Sequence, residues 1–167
     1  SGGTVHLAPA SGTTNNGILE AQNGGTLFLD SNVTGTPGGS IVAGAGSTVW
    51  QNGVGLSGVI NSAGSGSFRV SNNNTNALNG VTFNGPLDLA SSTGVERVFG
   101  GLTLNGSIDV NSNSVLSFNG DQTLGGNGTI VLGNTGASNR ALSLEGNTAL
   151  TIGSNVVVRG ENGTLGQ

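Results

Sequence analysis

Cysteine, methionine, lysine and tyrosine are all absent from this sequence of 167 residues. Without cysteine the chain can form no disulfide and can offer no thiolate ligand to a metal ion. A large extracellular β protein that lacks disulfides is more typical of bacterial than of eukaryotic secretion. Because an initiating methionine is also missing, we interpret the chain as processed or as an excerpt of a longer polypeptide, from which any targeting signal would have been lost.

Charged residues are almost as scarce. They make up 7% of the chain, compared with about a quarter of an average protein. Four basic and eight acidic residues give a formal net charge of −4. Nucleic-acid binding requires a basic stripe, which this sequence does not contain. No apolar run approaches the length of a membrane span. Neither a nucleic-acid partner nor membrane insertion is therefore expected.

Glycine and short apolar runs are what the chain has in quantity. Glycine contributes 33 residues, and hydrophobic residues, mostly Val, Leu and Ile, make up 34% of the chain. Short runs of β-branched residues between glycines favour strands and turns over helices. No window shows the apolar spacing of an amphipathic helix together with a capped start. The composition therefore predicts an all-β protein.

A short phrase occurs twice and suggests how the strands are arranged. Residues 81–89 and 102–110 carry Thr, Asn, Gly and Asp at the same places, 21 residues apart, and exchange one apolar residue for another elsewhere. Each copy holds two apolar–polar–apolar triplets, which have the period of a strand. The Asn-Gly between them tolerates a left-handed backbone and so permits a sharp bend. Each copy is predicted to form strand, bend, strand.

This repeat predicts a right-handed parallel β-helix, a solenoid of roughly eight coils with about 21 residues per coil. We expect one domain over residues 1–167, an excerpt of or a building block in a longer fibre. Val81 and Phe83 should lie beneath Leu102 and Leu104 in a parallel ladder, with the threonine between each pair turned outward.

Several local features follow from the same coil. Asn84 above Asn105 should form an amide ladder. In a coil with three faces, the related phrase that begins at Leu116 should lie two faces further on, and the copy at Leu142 requires an insertion near residues 133–139. The polar run 72–76 is predicted to be the longest excursion from the solenoid.

The run 118–130 carries a resemblance to a known family. Its Gly-rich strands with Asn-Gly-Thr-apolar bends, few charges and no cysteine resemble the β-helices of filamentous-haemagglutinin-like adhesins and autotransporter passenger domains. The resemblance implies secretion, an extracellular or cell-surface location, and an extended rod used in adhesion or matrix building. It also implies partners such as surface glycans or receptors on host or neighbouring cells.

We therefore interpret the chain as a structural segment of an extracellular fibre or surface adhesin, and not as an enzyme. The alternative is a carbohydrate-binding or polysaccharide-degrading β-helix, which would need paired carboxylates in a cleft. Asp88, Asp109 and Asp121 are the acids that such a pair would use. The first two belong to the repeated phrase, which favours solvated outward residues. No catalytic, cofactor-binding or metal-ligating residue and no cofactor is assigned.

Four further residues have interpretations of their own. Trp50 is either a sugar-stacking platform together with residues 51–52 or an anchor that covers one side or end of the core. His6 should point outward and is given no role. Glu96 and Arg97 are predicted to form surface ion pairs with other neighbours, and such pairs contribute little to stability.

Two expectations concern contacts between coils and between chains. Asp88 and Asp109 should stack about 5 Å apart, and would either share Ca²⁺ or splay into water, which we favour. The terminal strands begin and end abruptly, without a polar or helical cap. Self-association end to end, or further coils of the same kind, should cover them, unless loops such as residues 9–16 fold over the ends.

Overall fold

The computed structural model describes residues 2–89, 94–111, 113–133 and 141–166. In these ranges the chain consists of strands, turns and bends, and no helix is long and apolar enough to cross a membrane. The strands are β1 (Thr4–Leu7), β2 (Thr13–Asn15), β3 (Ile18–Ala21), β4 (Thr26–Leu29), β5 (Val33–Gly35), β6 (Ser40–Ala43), β7 (Thr48–Gln51), β8 (Gly55–Ser62), β9 (Ser67–Val70), β10 (Ala77–Asn84), β11 (Pro86–Asp88), β12 (Val95–Leu104), β13 (Ser107–Val110), β14 (Val115–Asn119), β15 (Gln122–Gly126), β16 (Thr129–Leu132), β17 (Ala141–Glu145), β18 (Leu150–Ile152), β19 (Val157–Gly160) and β20 (Thr164–Leu165).

The strands form three faces that run the length of a solenoid. Face A has eight strands in the order β1-β4-β7-β9-β11-β13-β16-β19. Face B contains β2, β5, the first halves of β8, β10 and β12, and then β14, β17 and β20; face C contains β3, β6, the second halves of the same three strands, and then β15 and β18. The strand pairings of the described residues are parallel, as in the pairing of Thr4 with Thr26 and of Thr26 with Thr48.

The coil repeats about every 22 residues for about seven turns, which confirms the predicted solenoid. Between faces B and C, β8 and β10 turn at single glycines and β12 at the pair Gly100 and Gly101. Gly58 and Gly80 have φ angles of 92° and 60°, a left-handed conformation that glycine adopts without a steric penalty. The strand register shifts by one residue between Asn79 and Val81 at this corner. Such a bulge lets one strand continue from one face to the next.

The repeated phrase pairs as its sequence predicts. Val81 pairs with Leu102 and Phe83 with Leu104, all four are buried, and Thr82 and Thr103 lie on the outer side. The amide ladder is confirmed as well, and extends one coil further than expected. Asn105 Nδ2 donates to Asn84 Oδ1 (2.9 Å), and Asn84 Nδ2 donates to Asn61 Oδ1 (2.8 Å).

The core is a narrow interior of in-register apolar rows. Its largest side chains, Phe68, Phe83 and Phe118, are fully buried, and the first two rings meet edge to face with centroids 5.3 Å apart. Leu116 lies on face B, two faces beyond Leu102, and pairs with Leu142, as predicted. The expected insertion near residues 133–139 falls mostly outside the described residues.

The prediction of an excursion at residues 72–76 is wrong, because Asn76 is fully buried in a tight corner. Its Nδ2 donates to the backbone oxygens of Ser71 (2.9 Å) and Asn73 (2.8 Å), and its Oδ1 accepts from Gly53 N (2.7 Å). A single amide side chain thus bonds to three backbone groups of the corner and fixes its shape. Asparagine is here a corner residue of the core.

We expect Phe83→Ala to lower the free energy of unfolding by about 3–5 kcal/mol, since it leaves a cavity in a closed interior. Urea unfolding followed by far-ultraviolet circular dichroism measures this. Thr103→Ala, on the outside of the paired strand, serves as the control and should change stability by no more than about 0.5 kcal/mol. Equal effects of the two substitutions would contradict the assignment of inner and outer sides.

Candidate functional site

The outer row of face A is the least uniform surface of the solenoid. We define it by the residues that pair in sequence on adjacent strands and point away from the core: His6, Phe28, Trp50, Arg69, Asp88, Asp109, Val131 and Arg159. Aromatic rings occupy its first three positions and charged side chains most of the rest. A purely structural row would be expected to repeat one residue type, so the change in chemistry marks this face as a candidate site.

The aromatic part of this row lies on the first three coils. The rings of His6 and Phe28 are nearly parallel (5°), with centroids 4.7 Å apart. The Phe28 and Trp50 centroids are 6.1 Å apart, but their planes are inclined at 46°. Trp50 is half-buried on the outside of the sheet, between Val49 and Gln51, which both point into the core. It is therefore an outer-surface residue and no part of the interior.

Asp30 ties this row to a neighbouring polar one. Its Oδ2 lies 2.6 Å from His6 Nδ1, and its Oδ1 accepts from Asn52 Nδ2 (2.8 Å). Since a carboxylate can only accept, His6 Nδ1 carries the proton in this contact. The hydrogen bond from Asn52, followed by that from His6, lowers the pKa of Asp30 below its ordinary value. The carboxylate is therefore ionised and fixed in orientation.

The remaining borders of the aromatic row are also polar. Two residues earlier on each strand, the hydroxyl-bearing residues Thr4, Thr26, Thr48 and Ser67 pair in one outward row. On the other side lies an open groove of about 420 Å³, which is lined by residues 8–12, residues 30–32 and Val54. Asp30 lines this groove and also contacts His6 of the aromatic row, so one carboxylate borders both.

The acids singled out from the sequence do not form one site. Asp88 and Asp109 pair in register, as predicted, and Arg69 precedes them in the outer row. Asp121 lies apart, where its Oδ1 accepts from Ala149 N (2.8 Å). Within the described residues, no three His, Cys, Asp or Glu side chains are grouped closely enough to hold a metal ion.

The prediction for Arg97 and Glu96 is half right. Arg97 pairs with Glu145, donating from Nε to Oε1 (2.6 Å) and from Nη2 to Oε2. Ser117 and Asn119 also donate to this carboxylate, each at 2.8 Å. These bonds, that of Arg97 first, lower the pKa of Glu145 to about 2. This group joins three coils on face B.

Glu96 is not at the surface, and its prediction as a surface ion-pair residue is wrong. Alternation along β12 turns it inward, where it is fully buried. Its Oε1 lies 3.4 Å from Gln51 Nε2, which already donates to Val54 O at 2.8 Å, so the contact is long. In the described part of the chain, Glu96 Oε2 and Gln51 Oε1 have no hydrogen-bond partner. Burial raises the pKa of Glu96 well above its ordinary value, although the Gln51 contact opposes this.

Sequence reasoning missed the grouping of His6, Phe28 and Asp30 with Trp50. The signal was a spacing of 22 residues, by which positions 6, 28 and 50, and likewise 30 and 52, recur. The spacing is hard to recognise because the side chains at those positions differ, whereas the two copies of the phrase at residues 81 and 102 carry the same or similar residue types. Stacked rows are found by spacing even when the residue type changes.

No family model, curated protein or solved structure matches this chain. The structure shows the parallel β-solenoid that the sequence predicts, whereas no relative supports the resemblance to adhesins or autotransporter passenger domains.

We expect Glu96→Gln to stabilise the protein at pH 7 by about 1–3 kcal/mol, because the new amide can donate to Gln51 Oε1 and carries no ionisable group. In the parent chain, folding raises the Glu96 pKa above the ordinary value of 4.5, so the folded state holds the proton more tightly. The contribution of Glu96 to stability is then fully present below pH 4.5 and is lost as the pH rises through the pKa of the folded state. Chemical unfolding from pH 2.5 to 9 should show a flatter alkaline side in the variant.

Glu145→Gln is the matched control for this experiment. The pKa of Glu145 is lowered to about 2, so its stabilisation is present above 4.5 and is lost as the pH falls towards 2. This variant should alter the acid side of the profile, and Glu96→Gln the alkaline side. An unchanged alkaline slope in Glu96→Gln would show that Glu96 is ionised in the folded protein.

We expect a chelator to leave the thermal unfolding midpoint unchanged, because Ca²⁺ takes about six to eight oxygen ligands and the carboxylates of Asp88 and Asp109 supply four at most. Two in-register strands are about 4.8 Å apart, so unscreened carboxylates at this spacing would repel each other or share a cation. Differential scanning calorimetry with added Ca²⁺ and then with excess chelator measures the difference. A midpoint that rises with Ca²⁺ in the parent chain but not in Asp109→Asn would establish a shared cation instead.

Proposed function

We propose that this chain is a structural segment of an extracellular fibre or cell-surface adhesin, a rigid solenoid on whose ends further coils stack. The observation that carries the proposal is the apolar surface of the two end coils. Val5 in the first coil and Leu165 in the last lie in inward rows, where they pair with the buried residues Leu27 and Leu142, yet they are 62% and 59% exposed. Burial of these side chains by another coil would stabilise the contact.

The backbone at both ends supports the same proposal. Among the described strands, β1, β2 and β3 each pair with a strand on one side only, and so do β18, β19 and β20. A strand edge of this kind presents N–H and C=O groups that can pair with a further strand. All three faces have such an edge at each end, so one stacked coil can meet three strands at once. The low charge of the chain, −4 overall, offers little repulsion to this contact.

The rows of face A are compatible from one end to the other. The inward row begins with Val5 and ends with Val158, and the outer row begins with His6 and ends with Arg159. A second copy stacked head to tail in the same register would place Val158 beside Val5. It would also place Arg159 beside His6 in the outer row. A heterologous contact of this kind produces a filament.

A further coil of the same polypeptide would make the same contacts as a second copy. Either arrangement gives an extended rod, which is what an adhesin or a fibre requires. The resemblance of residues 118–130 to exported β-helices supports an extracellular location.

The alternative of a carbohydrate-active β-helix divides into two parts. The aromatic row supports carbohydrate binding. Polysaccharide degradation has less support, because Arg69 separates Trp50 from Asp88 in the outer row, so that no aromatic side chain in that row adjoins the paired acids. We therefore propose no catalytic activity.

We expect the purified chain to form rods that lengthen with concentration. Sedimentation velocity and negative-stain electron microscopy would show particles whose lengths are multiples of one chain. Val5→Asp should keep the chain monomeric, because it places a charge in the end contact, while Thr103→Asp, at the middle of face C, should not. A monomer at all concentrations, unaffected by Val5→Asp, would contradict assembly of this chain by itself.

A further inference from the structure

We propose that the outer surface of face A around Trp50 and Asp30 binds a neutral, hexose-containing glycan. This inference rests on the first three coils and is independent of end-to-end stacking. Its elements are an outward indole ring, a fixed carboxylate with free acceptor sites, and a groove that extends from that carboxylate.

The aromatic side chains of this protein are distributed unevenly. Three of the five phenylalanines, Phe68, Phe83 and Phe118, fill the core. The single tryptophan and the single histidine both lie outward on face A, in register with Phe28. Outward aromatic rings are not needed to fill the interior, and rings on a surface with few charges form an apolar patch suited to the C–H faces of a sugar.

Ring geometry selects Trp50 as the contact for a sugar. His6 and Phe28 are parallel and cover each other's facing sides. Trp50 is inclined at 46° to Phe28 and so does not complete a sandwich with it. Among the described residues, the guanidinium that lies over a ring is that of Arg97, above Phe99 on face B. Arg69, the next residue after Trp50 in the row, instead donates from Nε to Ser67 Oγ (3.2 Å).

The polar groups beside Trp50 match the hydroxyl groups of a sugar. Each Asp30 oxygen receives one hydrogen bond, from His6 or from Asn52. A carboxylate offers about four acceptor sites, so both oxygens can accept a further bond from adjacent sugar hydroxyls. The contacts to His6 and Asn52 hold the carboxylate in place, which lowers the entropic cost of binding. A negative charge here favours neutral sugars over uronic or sialic acids.

The groove gives the site a length beyond one sugar ring. Its volume of about 420 Å³ lies within the range of small-molecule sites. Asp30 and Ser31 line it together with residues 8–12. A glycan packed on Trp50 and bonded to Asp30 can therefore continue into the groove, so we expect oligosaccharides to bind more tightly than the monosaccharide.

Fluorescence reports directly on this site, because Trp50 is the only tryptophan in the chain. The probes are cello-, malto- and chito-oligosaccharides, with glucose as the monosaccharide and oligogalacturonate as the acidic comparison. We expect at least one neutral series to give a saturable change in Trp50 emission and a matching heat of binding by calorimetry. Failure of all three neutral series, or a preference for oligogalacturonate, would overturn the proposal.

Variants separate the site from the rest of the surface. Asp30→Asn and Trp50→Leu should each weaken binding by about tenfold or more, that is by about 1.4 kcal/mol, with calorimetry as the readout for the second. Phe99→Leu, an outward aromatic residue on face B, is the matched control and should bind like the parent chain. Equal losses in Phe99→Leu and Trp50→Leu, or no loss in Asp30→Asn, would refute the site.

Circular dichroism of each variant establishes that it is folded before binding is measured. Titration of Val5→Asp, which is designed to remain monomeric, separates the two proposals. Retained binding by this variant supports a site on one chain. Binding that is lost with Val5→Asp but kept by Thr103→Asp would locate the site at a junction between chains and overturn the present assignment.

Discussion

Parallel strand register is the constraint on which the rest of this structure depends. Each residue lies beside the one about 22 positions earlier, and hydrogen bonds between coils hold that alignment. A shift by one residue would exchange the inner and outer sides of a strand. Register therefore determines that Phe83 packs in the core while Asn84 joins an amide ladder with Asn61 and Asn105.

The interior imposes a strict rule on polar side chains. A buried polar side chain needs hydrogen-bond partners, and the amide of Asn76 finds them in the backbone of a corner. Glu96 and Gln51 do not, since one oxygen of each is buried without a partner among the described residues. A neutral carboxylic acid is the less costly state in such a place. Among the described residues, Glu96 is thus a buried proton-binding group in an interior that also holds the neutral amides of Gln51 and Asn76.

Side chains on the outside of the solenoid are not subject to this rule, and the outer rows differ from one another in residue type. Face C carries Thr82, Thr103 and the asparagine ladder, an uncharged surface in the middle of the solenoid. Face A begins with aromatic rings and continues with charged residues. The apolar inner rows stabilise the rod. Selective binding requires an outer row in which the residue type changes along the solenoid. Scaffold and recognition are in this way separated on two sides of the same strands.

The sequence by itself determined the parallel solenoid, because one well-preserved phrase at residues 81 and 102 revealed both the strand period and the coil length. The pairings of Val81 with Leu102 and of Asn84 with Asn105 follow from it. Tertiary structure alone decided the burial of Glu96 and Asn76 and the meeting of His6, Phe28 and Trp50. The alternation of residues along a strand shows that successive side chains point to opposite sides. Which of the two sides is buried in the core depends on strands that lie a full coil away in the sequence. The chemistry of a row is likewise spread over positions about 22 residues apart, where no local pattern connects them.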